Sequence, residues 1–185
     1  MTEDKRAESE IQLSQTLSQA ISEAPDFIGA LTVAISKVCQ LTNCDYGEAW
    51  IPYKDSTLLE LSPAWYINTH RGSAYLPALE QFRLCSEAFV LSPGIGLPGR
   101  VWLSQQPEWI CDVSAQSETY FLRNQIALAF GIRAGFGVPI LGNHQGKSAV
   151  LVFFMLEVRE LDRRLVELAQ AAAAQLGLLL QHSLA

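Results

Sequence analysis

Three glycines in one short segment have the spacing of a nucleotide-binding motif. Gly94, Gly96 and Gly99 form the pattern G-x-G-x-x-G, which places backbone N–H groups against a pyrophosphate at the start of a helix. Such a site also needs a long helix after the third glycine and an acidic residue about 20 positions later. Here Pro107 forbids a long helix, and Asp112 comes too early. We therefore interpret the segment as a tight turn that starts a short helix, and we predict no nucleotide site.

Four cysteines are the residues that could supply thiol chemistry. Cys39, Cys44, Cys85 and Cys111 are irregularly spaced and include no C-x-x-C pair, so neither a disulfide scaffold nor a zinc site is predicted. We expect reduced thiols that are mostly buried as small hydrophobic side chains. A redox enzyme would need an exposed thiolate of low pKa with a second cysteine within reach, and the sequence leaves that alternative open.

Three histidines are the remaining candidates for metal or proton chemistry. His70 lies in a polar stretch, His144 between two predicted strands, and His182 near the end of the last predicted helix. A haem, iron or zinc site would bring histidines together with other ligands. None of the three has a clustered partner in the sequence. We therefore expect surface histidines, no metal site and no catalytic residues in this chain.

Size and composition favour one domain that folds by itself. The chain has 185 residues, of which 49% are hydrophobic and 17% are charged. Its net charge is −6 and its lysines and arginines form no basic stripe, so we predict no nucleic-acid partner. There is neither an apolar run long enough to span a membrane nor the apolar core of a signal peptide. We expect a cytoplasmic chain without a membrane segment.

Hydrophobic periodicity predicts an α/β fold in which a central antiparallel sheet of about five or six strands positions the residues above. The strand that starts at Ser148 is almost continuously apolar, which is typical of a central strand covered on both faces. We therefore expect helices on both faces of the sheet and long helices at both ends. The predicted helices cover residues 6–24, 27–43, 79–88, 117–130 and 161–184, and the predicted strands cover 46–53, 58–66, 109–113, 134–141 and 148–156.

Turn residues predict two β-hairpins and one long excursion. Residues 54–56 join the first two strands, and Pro63 should limit pairing in the second of them. Residues 142–146 carry the glycines and the asparagine that a hairpin loop requires. Between the hairpins, residues 68–79 are polar and contain glycine and proline, so we expect a loop that leads into a short helix.

The last predicted helix carries an apolar seam with the spacing of a coiled coil. Its residues recur at intervals of four and three, as they do in paired helices. The N-terminal helix has few apolar residues, and we expect its Leu17 and Ile21 to join this seam in a homodimer. The alternative is an ordinary terminal helix that packs on the core of its own chain. The seam comprises Leu161, Leu165, Leu168, Ala172 and Leu179.

Four segments resemble the successive motifs of GAF domains in bacterial sensor histidine kinases, especially those of the cyanobacterial type. They are Gly96–Trp102, Gln106–Asp112, Gly135–Ile140 and Val150–Phe154. The resemblance covers residues 25–180, and residues 6–13 are similar to the signalling helix that precedes such modules. It implies a linking helix at residues 1–24 and a GAF domain at residues 25–185. The chain would then sense a small ligand, or dimerise, and relay the signal through its terminal helices, while any kinase activity would belong to the parent protein.

The motifs that assign a ligand within this family are not matched. Bilin-binding members attach the pigment to a cysteine that is followed by histidine, whereas Cys85 is followed by Ser86. The motif of cyclic-nucleotide-binding members is absent around Phe153–Asp162, and the cysteine motif of the GAF-fold methionine sulfoxide reductases is not visible. The ligand and any cofactor therefore stay unassigned. A ligand-free dimerisation module, a thiol redox enzyme and a bilin photoreceptor remain the alternatives.

Aromatic residues and three polar residues are the candidate lining of a ligand pocket between the sheet and its covering helices. Asp112, Arg123 and Asn124 are the expected polar anchors, and Cys85 is expected near the cavity. The alternative is a closed core filled by the rings, with Arg123 and Asp112 paired at the surface. The candidate rings are those of Trp50, Trp65, Trp109, Tyr120, Phe121, Phe136 and Phe153.

Overall fold

The computed structural model describes residues 3–53, 57–142 and 148–183, and an antiparallel sheet divides it into two helical layers. The six strands are β1 (Tyr46–Tyr53), β2 (Leu58–Ile67), β3 (Val90–Leu91), β4 (Glu108–Ile110), β5 (Ala134–Leu141) and β6 (Ser148–Met155). Their order across the sheet is β3-β2-β1-β6-β5-β4. The sequence did not predict β3, because two residues are too few to show an alternating pattern.

Three helices cover each face of the sheet. The layer that we call the terminal-helix face consists of α1 (Glu3–Ser22), α2 (Phe27–Thr42) and α6 (Arg163–Ser183). The opposite layer, the short-helix face, consists of α3 (Leu76–Ser86), α4 (Gly96–Ser104) and α5 (Asn124–Phe130). This arrangement confirms the predicted α/β class with an antiparallel sheet between helices. No helix in the described ranges has the length and apolar character needed to cross a membrane.

The position of β6 in the sheet explains why its sequence is apolar throughout. Successive side chains of a strand point to opposite faces, and every residue of β6 is buried. Leu151 and Phe153 belong to the core of the terminal-helix face, whereas Val152 and Phe154 belong to the core of the short-helix face. The central strand is therefore buried on both sides, as its composition predicted.

Both predicted hairpins are confirmed by strand pairing. In the first, Glu48 lies opposite Trp65 but Trp50 lies opposite Leu61, so β2 carries extra residues around Pro63. This irregularity is the expected effect of proline on pairing. In the second, Leu141 pairs with Ser148. The predicted turns at 54–56 and 142–146, with His144, lie largely or entirely outside the described residues.

The helix predicted from residue 117 begins only at Asn124, where α5 starts. A short 3-10 turn at Val113–Ala115 comes first, and the Asn124 side chain donates a hydrogen bond to the Gln116 carbonyl (3.0 Å). Asparagine side chains that bond nearby backbone groups compete with helix formation. The segment from 116 to 123 is therefore a series of turns, and the predicted helix was too long.

Most residues of the predicted seam pack against the core of their own chain. Leu17, Ile21, Leu165 and Ala172 are buried in the core of the terminal-helix face, so the N-terminal helix is part of the domain core. Leu168 and Leu179 are half-buried against the same core. Leu161 precedes α6 and is 54% exposed. The four buried residues pack between α1, α2 and α6 of one chain, so the expectation that they face a second chain was wrong, whereas the homodimer itself stays a prediction.

Candidate functional site

A buried ion pair lies between the sheet and the short helices. The Arg123 Nη2 atom lies 2.9 Å from Glu48 Oε2, and Arg123 Nη1 donates to Glu48 Oε1 at 3.0 Å. The Glu48 side chain is fully buried and that of Arg123 is 3% exposed. Removing both charges from water costs free energy that their attraction offsets only in part. Such a pair therefore suggests a role beyond stability.

Local structure explains how the two residues meet. Glu48 lies in β1 between Tyr46 and Trp50, and alternation puts all three on the short-helix face. The Trp50 indole N–H donates a hydrogen bond to Glu48 Oε2. Arg123 occupies the N-cap position of α5, and its Nη1 also reaches Ser86 Oγ of α3 at 3.1 Å. One guanidinium thus connects the sheet with two short helices.

Aromatic rings surround the Arg123 guanidinium. Its central carbon lies 5.1 Å from the ring centres of Trp50 and Phe154 and 5.2 Å from that of Phe82. The ring of Phe121 is 5.7 Å away. Cations within about 6 Å of a ring are attracted to its face, and burial strengthens that attraction. The rings therefore offset part of the cost of burying this charge.

A second arginine and a tyrosine extend the polar cluster. Arg83 of α3 is 5% exposed, and its Nη2 donates to the Ser62 carbonyl at 2.6 Å. Its Nε lies 3.4 Å from a carboxylate oxygen of Glu87, whose side chain is 51% exposed. Burial raises the pKa of the Tyr46 hydroxyl well above its usual value, and the charge of Glu48 adds to the shift. Tyr46 therefore keeps its proton and stays a hydrogen-bond donor.

Several polar atoms of this cluster have no hydrogen-bond partner. They are the Tyr46 hydroxyl, Arg83 Nε and Nη1, Arg123 Nη2 and Asn124 Oδ1, of which Arg83 Nε and Arg123 Nη2 take part only in the ion pairs with Glu87 and Glu48. Arg83 lies near the Tyr46 hydroxyl, but no aligned hydrogen bond joins them. Buried polar groups in folded proteins are almost always paired, with protein, water or ligand. The short-helix face therefore has unused capacity to bind a polar group.

A family model described as a GAF domain matches residues 24–181. The chain belongs to the GAF family. It is 32% identical to Protein NLP9 of Arabidopsis thaliana over 136 residues, which are 72% of this chain and 15% of that protein. The chain thus spans a small part of this curated relative.

Solved GAF structures share the fold at low sequence identity. The GAF domain of a phosphoenolpyruvate-protein phosphotransferase from Coxiella burnetii has a TM-score of 0.70 at 19% identity, covering 94% of this chain and 93% of that one. A free methionine-R-sulfoxide reductase from Neisseria meningitidis, solved with its substrate, has a TM-score of 0.63 at 14% identity, covering 92% and 90%. At these identities the likeness establishes the fold of this GAF domain and nothing finer.

The GAF domain brings together only part of the predicted pocket lining. Trp50, Phe121 and Arg123 lie in the polar cluster, and Asn124 follows directly in α5. Trp65 lies at the edge of the polar cluster and is 37% exposed. The Arg83 guanidinium lies 5.7 Å from the centre of its ring. The cluster also contains Tyr46, Glu48, Phe82, Arg83 and Phe154, which sequence reasoning missed.

Other predicted lining residues lie elsewhere. Trp109 stacks on Phe136 at 5.0 Å and Phe136 on Phe153 at 5.2 Å, all on the terminal-helix face. The reason is strand parity, since Phe153 and Phe154 necessarily point to opposite faces. Tyr120 is 42% exposed, with the Arg100 guanidinium 4.1 Å from its ring centre.

The predicted surface pair of Arg123 and Asp112 does not form. Arg123 is buried with Glu48, while Asp112 Oδ1 accepts hydrogen bonds from the backbone N–H of Ser114 (3.0 Å) and its hydroxyl (2.6 Å). Asp112 therefore caps the 3-10 turn after β4. A crevice beside Arg123, between Leu91 and Phe121, has no room for a water molecule. The core on this face is therefore closed in the structure.

The glycine segment is a turn, as predicted. The Gly94 N–H donates to the Gly99 carbonyl at 2.8 Å, and α4 starts at Gly96. A Cβ atom at Gly99 would lie 2.6 Å from the Ser92 carbonyl oxygen, so any other residue would force the turn open. Its position helps to hold α4 against the sheet beside the polar cluster.

The cysteines of this GAF domain lie in separate environments. Cys39 and Cys44 are buried on the terminal-helix face, where burial raises the pKa of Cys39 well above its usual value and that of Cys44 to about 12. Cys85 is half-buried in α3 and Cys111 is exposed. Both buried thiols thus keep their protons, which disfavours nucleophilic chemistry. In the described part of the chain no group of three histidine, cysteine or acidic residues could hold a metal ion.

His70 is exposed, as predicted, and its ring lies beside a buried carboxylate. Its Nε2 lies 3.4 Å from Asp45 Oδ1, which Arg71 Nε also reaches at 2.6 Å. The other oxygen of Asp45 accepts the backbone N–H of Leu156 at 2.8 Å, and Arg71 Nη1 lies 3.0 Å from Glu157. Asp45 therefore connects the excursion loop to the end of β6, and this loop leads directly to α3.

Proposed function

We propose that this GAF domain is the sensory module of a larger signalling protein, and that its ligand binds at the Glu48–Arg123 pair. The observation that carries the proposal is the burial of this pair among rings and unpartnered polar atoms. Buried ion pairs contribute little net stability, and perturbed polar groups are typical of functional sites. A ligand that competes for Arg123 would release its bond to Ser86 and shift α3 on the sheet.

The output that we propose is a two-component histidine kinase in the cytoplasm. The sequence motifs favour this parent, whereas the curated relative NLP9 is a plant protein that matches over 15% of its length. In this proposal the chain itself is not catalytic, and its buried cysteines, Cys39 and Cys44, serve as packing residues. The protons retained by Cys39 and Cys44 support that part of it.

The sheet offers a contact route from the site to the last helix. Phe154 contacts Arg123 on one face, and its neighbour Phe153 stacks through Phe136 on Trp109 on the other. The Trp109 indole donates to the carbonyl of Arg159 at 2.8 Å. Arg159 Nη2 lies 2.8 Å from Asp162, just before α6. We propose that rearrangement of the site shifts α6 through these contacts, as packed elements with two arrangements do.

Direct screening of metabolite classes tests this function. The purified chain would be titrated with acidic, basic and neutral metabolites while thermal unfolding and amide exchange in α6 are followed. A ligand should raise the unfolding midpoint and change exchange in α6 together. The double variant Glu48→Leu/Arg123→Met, which removes the pair without leaving a lone buried charge, should abolish both effects, and Glu60→Gln, in the neighbouring strand, should leave them intact. Midpoint shifts without any change in α6 would contradict the signalling role.

A ligand-free dimerisation module is the second candidate, and the closed core beside Arg123 favours it. The buried seam leaves other apolar residues available for a homodimer, such as Ile11 at 56% and Leu178 at 55% exposure. Sedimentation of the wild type at tens of micromolar, beside Leu178→Asp and the exposed control Gln170→Asp, tests it. A dimer that only Leu178→Asp dissociates would support this function, and a monomer throughout would remove it.

A further inference from the structure

We infer that the ligand of the short-helix face is a small anion with at least two acceptor oxygens, such as a carboxylate, held by Tyr46, Arg83 and Arg123. This inference rests on the proposed function and names the chemical class of its ligand. It is carried by the unpartnered atoms of the cluster together with the balance of buried charge.

The buried charges on this face do not balance. Among the described residues, the buried carboxylates are Asp45 and Glu48, and Asp45 is engaged by Arg71 at the far end of β1. Glu48 therefore balances Arg123, whereas Arg83 has as its ion-pair partner the half-exposed Glu87 at the rim. Uncompensated charge is costly in a protein interior, and a bound anion would remove that cost.

The unused hydrogen-bonding groups are nearly all donors. Arg83 Nη1 and the Tyr46 hydroxyl have no hydrogen-bond partner, Arg123 Nη2 has only its ion pair with Glu48, and a guanidinium has no acceptor atom to offer. The pKa of Tyr46 is raised, so its hydroxyl also donates. A ligand that satisfies these groups must bring acceptor oxygens. Arginine pairs with carboxylates through especially strong, charge-assisted hydrogen bonds.

Tyr46 and Arg123 lie beside the same two rings, and Arg83 is close enough to Tyr46 to interact with it. The Tyr46 ring lies 5.7 Å from that of Phe82 and 6.1 Å from that of Phe154, and Arg123 lies over both. Arg83 follows Phe82 directly in α3. The crevice beside Arg123 has no room even for water, so the short helices must move outward to admit the anion, and a small anion requires the least movement.

The test titrates the full chain with sodium acetate, sodium formate and sodium sulfate against sodium chloride at constant ionic strength. We expect saturable increases in the unfolding midpoint and shifts of the Arg83 and Arg123 Nε–H resonances that chloride does not cause. Tyr46→Phe, which removes one donor and keeps the ring, should weaken affinity about tenfold. Tyr75→Phe, at an exposed position before α3, is the matched control and should bind as the wild type does.

The arms of the experiment separate the possible results. Saturation by acetate or formate alone identifies a carboxylate site, and saturation by sulfate identifies an inorganic oxyanion. Equal midpoint shifts in the wild type, Tyr46→Phe and Arg83→Met would overturn the inference, as would the absence of saturation with every anion. If a neutral metabolite binds and changes exchange in α6 while all anions fail, the sensory function stands and the anion assignment falls. If an anion binds without affecting α6, the assignment stands and the sensory function falls.

Discussion

The two faces of the sheet are built for different purposes. The terminal-helix face packs two long helices and one of intermediate length on an apolar core in which small residues let α6 approach the sheet closely. The short-helix face is covered by segments of 7 to 11 residues and buries Glu48, Arg83 and Arg123 among aromatic rings. Apolar burial is the main source of stability, whereas buried charge contributes little to it. The terminal-helix face is therefore the main source of stability, and the short-helix face is the one on which we propose binding.

Glycine positions sharpen this contrast. A Cβ atom at Gly177 of α6 would collide with the Leu141 carbonyl oxygen, so this glycine lets the long helix lie directly on β5. On the other face, a Cβ atom at Gly135 would lie 2.6 Å from the Phe154 ring, one of the rings around Arg123. Glycine thus serves close helix packing on one face and ring placement in the site on the other.

The largest effect should come from opening a cavity on the terminal-helix face. Phe153 is fully buried and stacks on Phe136. Phe153→Ala should lower the free energy of unfolding by about 4 kcal/mol, because the lost contacts and the cavity both destabilise. Urea denaturation measures it, with the exposed Leu128→Ala as a control that should change little. A loss no larger than that of the control would break the assignment of stability to this face.

The next effect should come from breaking the ion pair on the short-helix face. Glu48→Leu alone leaves Arg123 buried without its partner and should cost about 3 kcal/mol. The double variant Glu48→Leu/Arg123→Met replaces both charges by apolar groups and should recover most of that loss. Urea denaturation of the two single variants and the double variant gives the coupling energy. A double variant as unstable as the sum of the singles would mean that the pair supports the fold rather than binding.

How much the sequence predicted differs between these faces. The hairpin strands β5 and β6 were predicted almost to the residue, because a continuous apolar run bounded by turn glycines is a strong local signal. The register of β6 in the sheet decides which of Phe153 and Phe154 faces the site. The local sequence pattern does not determine that register. The predicted pocket lining therefore contained residues from both faces of the sheet.

Glu48 shows what a sharper analysis of the sequence could have found. It is a lone carboxylate in an otherwise apolar strand, on the same side as Tyr46 and Trp50. A charge with that parity must be buried with a partner, which points to the arginines of the covering helices. Its partner Arg123 is 75 residues away, and no local signal links the two. The start of α5 was missed for a related reason, since the Asn124 side chain bonds to Gln116 only in the folded turn.

Tyr46 should make stability depend on alkaline pH. Its pKa is raised in the folded state, so the unfolded chain loses this proton first and stability falls as the pH rises above about 10. Tyr46→Phe should reduce that fall by up to about 1.4 kcal/mol per pH unit, measured by urea denaturation between pH 9 and about 11. The exposed Tyr75→Phe should leave the profile unchanged. Identical profiles for both variants would show that the hydroxyl of Tyr46 reaches solvent in the folded protein.

The smallest effect should be local, at the loop that leads into α3. Arg71→Gln removes one charged partner of Asp45. The Asp45 carboxylate keeps its hydrogen bond from the Leu156 N–H and its contact with His70. We expect a loss of about 1 kcal/mol, seen as faster amide exchange in residues 68–76, with Arg163→Gln as an exposed control. Because this loop positions the helix that carries Arg83 and Ser86, the same variant should also ease the outward motion of α3. Faster exchange in α6 instead of α3 would show that Asp45 stabilises the terminal-helix face. The loop would then have no part in positioning the proposed binding site.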